Sequence, residues 1–99
     1  MGVFVHITRR KAWAVRGEDI TAEEWQDFVR GDRELRMPGL NGSDFADWIR
    51  SAGPVPQWLW WTDGEVCAQN PDPPFLAKMQ TIAKALGATV QDDEGKVLT

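Results

Sequence analysis

The sequence has little of several chemically informative residues: one cysteine, one histidine and no tyrosine among 99 residues. A lone Cys67 excludes an internal disulfide and a cysteine-rich zinc site, and it fits a reducing compartment, so we expect a cytoplasmic protein. Neither His6 nor Cys67 lies in a recognisable nucleophile motif. We therefore predict no catalytic residues, no metal ligands and no cofactor, and a His6–Cys67 pair is the one enzyme hypothesis that remains.

Long apolar runs and an excess of basic residues are also absent. No stretch approaches the length of a membrane-spanning helix, and the opening MGVFVHITRR does not have the order of a signal peptide. The 15 acidic residues outnumber the 11 basic ones, which gives a net charge of -4. Because nucleic-acid binding needs concentrated Lys and Arg, we expect neither nucleic acid nor a membrane as a partner. An acidic surface suits a basic protein partner better.

Tryptophan, in contrast, is abundant, with six in the chain and three of them in the segment QWLWW at 57–61. The Asp63-Gly64 pair that follows favours a two-residue turn, so we predict a β-hairpin over 57–69. Side chains alternate between the two faces of a strand. The face predicted to be core carries Leu59, Trp61, Val66 and Ala68. The opposite face carries Trp58, Trp60, Cys67 and Gln69.

Helix signals are clearest at two places. Thr21 and Glu24 form a capping box before an apolar stripe, which predicts a helix over 21–30. Asp72, followed by two prolines, predicts a longer helix over 71–86 that Gly87 ends. A third, shorter helix is predicted in SDFADWIRSAG, with Ser43 as its N-cap, after a loop over 33–42.

The remaining segments suggest strands. VFVHIT at 3–8 alternates, and we predict a hairpin that turns on the basic residues 9–11 and returns through 12–15. The C-terminal ATVQDDEGKVLT predicts two short strands around an acidic turn. Together these elements predict one α+β domain over residues 1–99, with an antiparallel sheet of about four to six strands and two or three helices packed mainly on one face.

The second half of the chain resembles a family of small, uncharacterised bacterial proteins. Their C-terminal signature runs approximately N-P-x5-9-K-M-x2-I-A-x2-L-x-A-x-V-Q-x-D-D-G-E. The matching positions are Asn70, Pro71, Lys78, Met79, Ile82, Ala83, Leu86, Ala88, Val90, Gln91, Asp93 and Gly95. The resemblance implies a role as a toxin-immunity protein, and it brings no catalytic residues with it.

Two interpretations of Trp58 and Trp60 remain open, since a second layer could cover them or they could form an exposed aromatic strip. Tryptophan is enriched at binding hot spots, so an exposed strip would favour a partner surface. We therefore predict a non-catalytic protein-binding module, most concretely an immunity-type protein that neutralises a toxin. Its predicted partner-binding residues are Trp58, Trp60, Asp63, Glu65 and Gln69. The alternative is a small regulatory or ligand-binding domain with a tryptophan-lined pocket.

Overall fold

The computed structural model describes residues 4–36, 45–48 and 57–98, and its elements follow one another as strand, helix, four strands, helix and strand. They are β1 (Phe4–Thr8), α1 (Ala22–Gly31), β2 (Leu35–Arg36), β3 (Phe45–Trp48), β4 (Trp58–Thr62), β5 (Glu65–Gln69), α2 (Pro73–Ala85) and β6 (Thr89–Gln91). The strands form an antiparallel sheet in the order β2-β3-β4-β5-β1-β6. The predicted α+β class and the predicted range of strand number are confirmed.

The hairpin of β4 and β5 forms with the register that the Asp63-Gly64 turn predicts. Both turn residues have positive φ, 49° and 84°, as a two-residue turn of this kind requires. Trp60 lies opposite Cys67, and Trp61 lies opposite Val66. One face of the hairpin is therefore apolar, and the other combines aromatic and polar side chains.

The apolar face of the sheet packs against both helices and forms the core. Leu59, Val66 and Ala68 are fully buried there, as predicted. Trp61 is partly buried against the same core and donates its indole N–H to the Ile20 carbonyl oxygen at 2.7 Å. The helices contribute the buried residues Trp25, Val29, Phe75, Met79, Ile82 and Ala83.

Both long helices begin where the local signals place them. The Thr21 hydroxyl accepts a hydrogen bond from the Glu24 N–H, and the Glu24 carboxylate accepts one from the Thr21 N–H, so the capping box is complete. Asp72 caps α2 by accepting from the Phe75 N–H at 2.9 Å. Neither helix is long and apolar enough to cross a membrane, within the part of the chain that the structure describes.

The predicted hairpin over 3–15 is wrong in its second half. Residues 12–15 form turns and no strand, and β1 pairs instead with β5 on one side and β6 on the other. Because both edges of β1 are occupied, no edge remains for a returning strand. Local alternation predicted the strand correctly but could not identify its neighbours.

The predicted helix with Ser43 as its N-cap is also wrong over 45–48, which form β3. Phe45 and Trp48 have helical spacing, but the same four residues also alternate as a strand. Pairing with β4 decides the outcome, since Phe45 stacks on Trp58 with ring centroids 5.2 Å apart. The predicted loop over 33–42 contains β2 at Leu35–Arg36, and the rest of both predictions lies outside the described residues.

Gly64 offers a test of how tightly the β4–β5 turn is packed. A Cβ at Gly64 would contact Asp19 and would lie 2.8 Å from Arg10 Nη2, whereas one at Gly87 would meet nothing within 4 Å. Both glycines have positive φ, so each change to alanine should cost about 1 kcal/mol of backbone strain. Gly64→Ala should cost about 1 kcal/mol more, because it displaces the Arg10–Asp19 ion pair.

Urea unfolding of the parent and the two variants measures this difference, with Gly87→Ala as the matched control. Equal losses in the two variants would show that residues 10–19 do not pack on the turn.

Candidate functional site

The face of the sheet that turns away from the helices carries the candidate site, and we call it the outer face. Alternation and register place on it residues from five strands: Phe4, His6, Thr8, Phe45, Asp47, Trp58, Trp60, Thr62, Glu65, Cys67, Gln69, Thr89 and Gln91. The residues divide into an aromatic part and a polar part. The two parts differ in what covers them.

Four aromatic side chains, Phe4, Phe45, Trp58 and Trp60, form what we call the aromatic surface. Phe4 meets Trp60 edge-on with centroids 5.9 Å apart, and the rings of Trp58 and Trp60 are 5.8 Å apart. Trp58 is 41% exposed and Phe4 is 37% exposed, while Phe45 and Trp60 are partly exposed. Of the two interpretations left open by the sequence, an exposed aromatic strip is the one that the structure supports.

The other predicted partner-binding residues differ in position and in exposure. Gln69 is exposed and lies opposite Phe4 in the sheet, so it borders the aromatic surface. Asp63 is exposed at the hairpin turn, where its carbonyl oxygen accepts a hydrogen bond from Arg10. Glu65 is only 5% exposed, so the expectation that it lies on the surface beside the strip is wrong.

Glu65 instead belongs to a group of polar side chains, His6, Glu65, Cys67 and Asp93, which we call the polar cluster. His6, Glu65 and Cys67 are each 5% exposed, whereas Asp93 lies at the surface. The Cys67 thiol donates to Glu65 Oε1 at 2.8 Å, and His6 Nδ1 hydrogen-bonds the same oxygen. His6 Nε2 hydrogen-bonds Asp93 Oδ1 at 3.0 Å.

Strand register explains why these residues meet. His6 of β1 lies directly opposite Cys67 of β5, and Glu65 is two residues before Cys67 on the same face. Asp93 comes from the turn after β6, where the Asp93 carboxylate also accepts the Phe4 N–H at 3.2 Å. The cluster therefore joins β1, β5 and the acidic turn, and it brings together the His6–Cys67 pair that the sequence left as a hypothesis, with Sγ and Nδ1 3.5 Å apart.

Trp13 covers the polar cluster. Its ring stacks on the His6 imidazole, with centroids 4.0 Å apart and planes 5° apart. Its indole N–H donates to the Asp93 carbonyl oxygen at 3.1 Å, and its backbone N–H donates to Gln91 Oε1 at 2.9 Å. Residues 9–19 thus shield the polar part of the outer face, while the aromatic surface stays open.

Two arginines hold residues 9–19 in place, where the sequence predicted the turn of a hairpin at residues 9–11. Arg9 makes two hydrogen bonds to the Glu24 carboxylate, at 2.9 and 2.6 Å, and this contact is the main reason that the pKa of Glu24 falls to about 2. Arg10 pairs with Asp19 at 2.8 Å and lies 3.8 Å from Glu65 Oε2. The basic residues therefore serve the fold, and Arg10 brings positive charge to the buried carboxylate.

The polar cluster shifts the ionisation of its members in definite directions. Burial alone would lower the pKa of His6, but hydrogen bonds and charges from Glu65 and Asp93 outweigh it, and the pKa is raised. Burial, together with the Glu65 carboxylate, raises the pKa of the Cys67 thiol. A thiol nucleophile needs a lowered pKa and an accessible sulfur, so this geometry is unlike that of a reactive cysteine.

Comparison with known proteins adds no relative. No protein-family model, no curated protein and no solved structure matches the chain. The site must therefore be interpreted from its own geometry.

Several site residues escaped sequence reasoning. The sequence predicts a strand at Trp13, and nothing within its own segment indicates that it stacks on His6. Phe45 was assigned to a helix, although its alternation with Ala46 was a signal for a strand beside β4. The sequence predicts an acidic turn at Asp93 but not its contact with His6, because that contact spans 87 positions of the chain.

The raised pKa of His6 can be measured directly, because it is the only histidine. In chelator-treated protein, an NMR titration of the imidazole should give a midpoint above the ordinary value of about 6.5. Asp93→Asn should lower the midpoint, because it removes a charge that favours the imidazolium. The exposed Glu94 supplies a matched control, and Glu94→Gln should leave the midpoint nearly unchanged.

The free energy of unfolding should depend on pH through the protonation of His6. A histidine whose pKa is raised in the folded state stabilises the protein fully below its unfolded pKa of about 6.5, and that contribution is lost as the pH rises through the raised folded value. A measured midpoint at or below 6.5 would contradict the ion pairs of His6 with Glu65 and Asp93.

Proposed function

We propose that the protein is a non-catalytic protein-binding module that uses the aromatic surface to hold a basic protein partner. The observation that carries this proposal is that four aromatic side chains in contact on one sheet face are exposed, as Phe4 and Trp58 are, or partly exposed, as Phe45 and Trp60 are. Single exposed apolar side chains are ordinary, but a connected aromatic patch on the surface of a globular protein is characteristic of an interaction site.

The rigidity of this surface favours binding. Trp58 and Trp60 are held on a central strand between β3 and β5, and their rings contact neighbouring aromatic rings. Large side chains that are already ordered lose little conformational entropy when a partner covers them. Aromatic anchors of this kind often provide most of the binding energy of an interface.

Charge supports a basic partner. The chain has a net charge of -4, and acidic side chains adjoin the aromatic surface on two sides. Asp47 lies opposite Trp58 in the β3–β4 register, and the Asp93 carboxylate accepts the Phe4 N–H. Carboxylates would attract Lys and Arg, and the aromatic faces would favour a guanidinium stacked on them. The partner should therefore present an apolar segment flanked by basic residues.

Within this proposal, a toxin domain is the partner class that the family resemblance suggests. An immunity-type protein acts by occluding its toxin, which requires a tight surface contact and no chemistry of its own. The buried thiol and the paired His6 fit a module without a reactive centre. The first candidate partner to test is a basic toxin domain encoded beside the gene.

The alternative, a ligand pocket beneath Trp58 and Trp60, has less support. Among the described residues, one pocket lies beside Trp48 and Lys78 and another lies between α2 and β6. Neither is lined by Trp58 or Trp60, whose rings lie on the other face of the sheet. The tryptophans are therefore better placed to contact a macromolecule.

Substitutions of tryptophan separate binding from folding. Trp58→Ala should raise the Kd for the toxin domain about 30-fold or more, the size of a hot-spot loss of about 2 kcal/mol. The same change should cost little stability, because Trp58 is exposed. Trp61→Ala should do the reverse, costing about 3 kcal/mol of unfolding free energy while the folded fraction keeps its affinity.

Calorimetric titration and urea unfolding of each variant provide the two readouts. Val15→Ala serves as the control, since Val15 is 61% exposed and is not one of the four side chains of the aromatic surface. An unchanged Kd for Trp58→Ala against a toxin that the parent binds would place the partner surface elsewhere.

A further inference from the structure

The polar cluster contains three different metal-ligand atoms that converge on one point beneath Trp13. His6 Nδ1, Glu65 Oε1 and Cys67 Sγ all lie within 4.8 Å of one another. Each side chain comes from an interior strand of the sheet, β1 or β5, and is buried. Convergence of an imidazole, a carboxylate and a thiol in a buried position is uncommon by chance, since each of these groups is costly to bury alone.

The spacing of these atoms is close to that of a tetrahedral zinc site. Ordinary Zn–S and Zn–N bond lengths and tetrahedral angles put sulfur and nitrogen about 3.6 Å apart. Cys67 Sγ and His6 Nδ1 are 3.5 Å apart. Glu65 Oε1 lies closer than that to both, at 2.8 Å from the sulfur, because protons now bridge the groups. An outward swing of the flexible Glu65 side chain by about 1 Å would open the space that a metal ion needs.

The surroundings of His6 match those of a metal-bound imidazole. A ligating histidine usually donates the N–H of its other ring nitrogen to a carboxylate, which fixes the ring and its tautomer. The Asp93 carboxylate occupies this position, with Oδ1 3.0 Å from His6 Nε2. Trp13 stacks on the same ring and restrains it further. His6 is therefore oriented with Nδ1 directed at Glu65 and Cys67.

Charge balance also fits a divalent ion. When the ion binds, the Cys67 thiol and the Nδ1 position of His6 each release a proton to solvent, and three bonds form from Sγ, Nδ1 and Oε1. A thiolate and a carboxylate then neutralise the two positive charges. A thiolate and an imidazole together favour zinc over calcium or magnesium, which prefer oxygen ligands.

We propose that His6, Glu65 and Cys67 form a zinc-binding site, with Asp93 as the residue that positions His6. Three protein ligands leave one position for a water molecule. The ion would join β1 to β5 below the segment 9–19 and would thereby stabilise the sheet that carries the aromatic surface. The site does not depend on the proposed partner, so it can be tested on the protein alone.

Metal titrations of the chelator-stripped full chain test the site. Cobalt(II) should bind with one equivalent and give the near-ultraviolet absorption of a cobalt–thiolate bond, which only Cys67 can supply. Zinc should displace the cobalt, release protons and raise the thermal unfolding midpoint. A separate titration with buffered zinc measures the affinity for zinc. Asp93→Asn should weaken this affinity about 10- to 100-fold, as the loss of a carboxylate behind a ligating histidine does.

Two ligand variants and one control complete the experiment. Cys67→Ser should remove the thiolate absorption, and His6→Gln should weaken zinc binding by at least 100-fold. Glu94→Gln should change nothing, because Glu94 belongs to the acidic turn and contributes no ligand atom to the convergent group. Circular dichroism of each variant shows whether it is folded.

The parent protein alone tests the proposed zinc site, even if a variant fails to fold. Absence of the cobalt–thiolate absorption in folded parent protein would overturn the proposal. Binding that Glu94→Gln abolishes would overturn it too, because the metal would then sit on the acidic turn.

Discussion

The buried carboxylate of Glu65 is the constraint on which the outer face depends. A carboxylate that is 5% exposed needs partners, and it finds them in His6, Cys67 and the Arg10 guanidinium. His6 and Cys67 come from the paired interior strands β1 and β5, while Arg10 brings residues 9–19 across them. Trp13 then closes the cluster by stacking on His6. One buried charge thus accounts for why half of the outer face is sealed.

The sealed half leaves the aromatic surface as the open one, and this division separates the surface proposed for partner binding from the polar cluster proposed for zinc. Phe4 and Trp58 are exposed, and Phe45 and Trp60 are partly exposed. The strands that carry them are fixed by the helix-covered core on the other side. The proposed zinc site would strengthen the same strands without touching the aromatic side chains. Binding and stability can therefore be altered independently, since Trp58 faces solvent while His6, Glu65 and Cys67 do not.

Sequence reasoning succeeded where a structural signal lies within a few residues. The Thr21–Glu24 capping box, the Asp63-Gly64 turn and the Asp72 cap each act over one to three positions, and all three formed. It failed where contacts between segments far apart in the chain determine the local structure. Residues 45–48 become a strand because β4 offers a partner edge. Glu65 is buried in a cluster that Arg10 approaches and whose His6 is covered by Trp13. Periodicity shows which face a residue occupies but not what lies above that face.

Reactivity of the single cysteine tests the division of the outer face most directly. In chelator-treated native protein, Cys67 should react with a thiol reagent far more slowly than in urea-unfolded protein, because Trp13 and its segment cover the cluster. Trp13→Ala should raise the native rate by at least tenfold, about the effect of 1.4 kcal/mol of lost protection. Trp58→Ala, on the open half, should leave it unchanged. Native Cys67 that reacts as fast as in the unfolded chain would contradict the account.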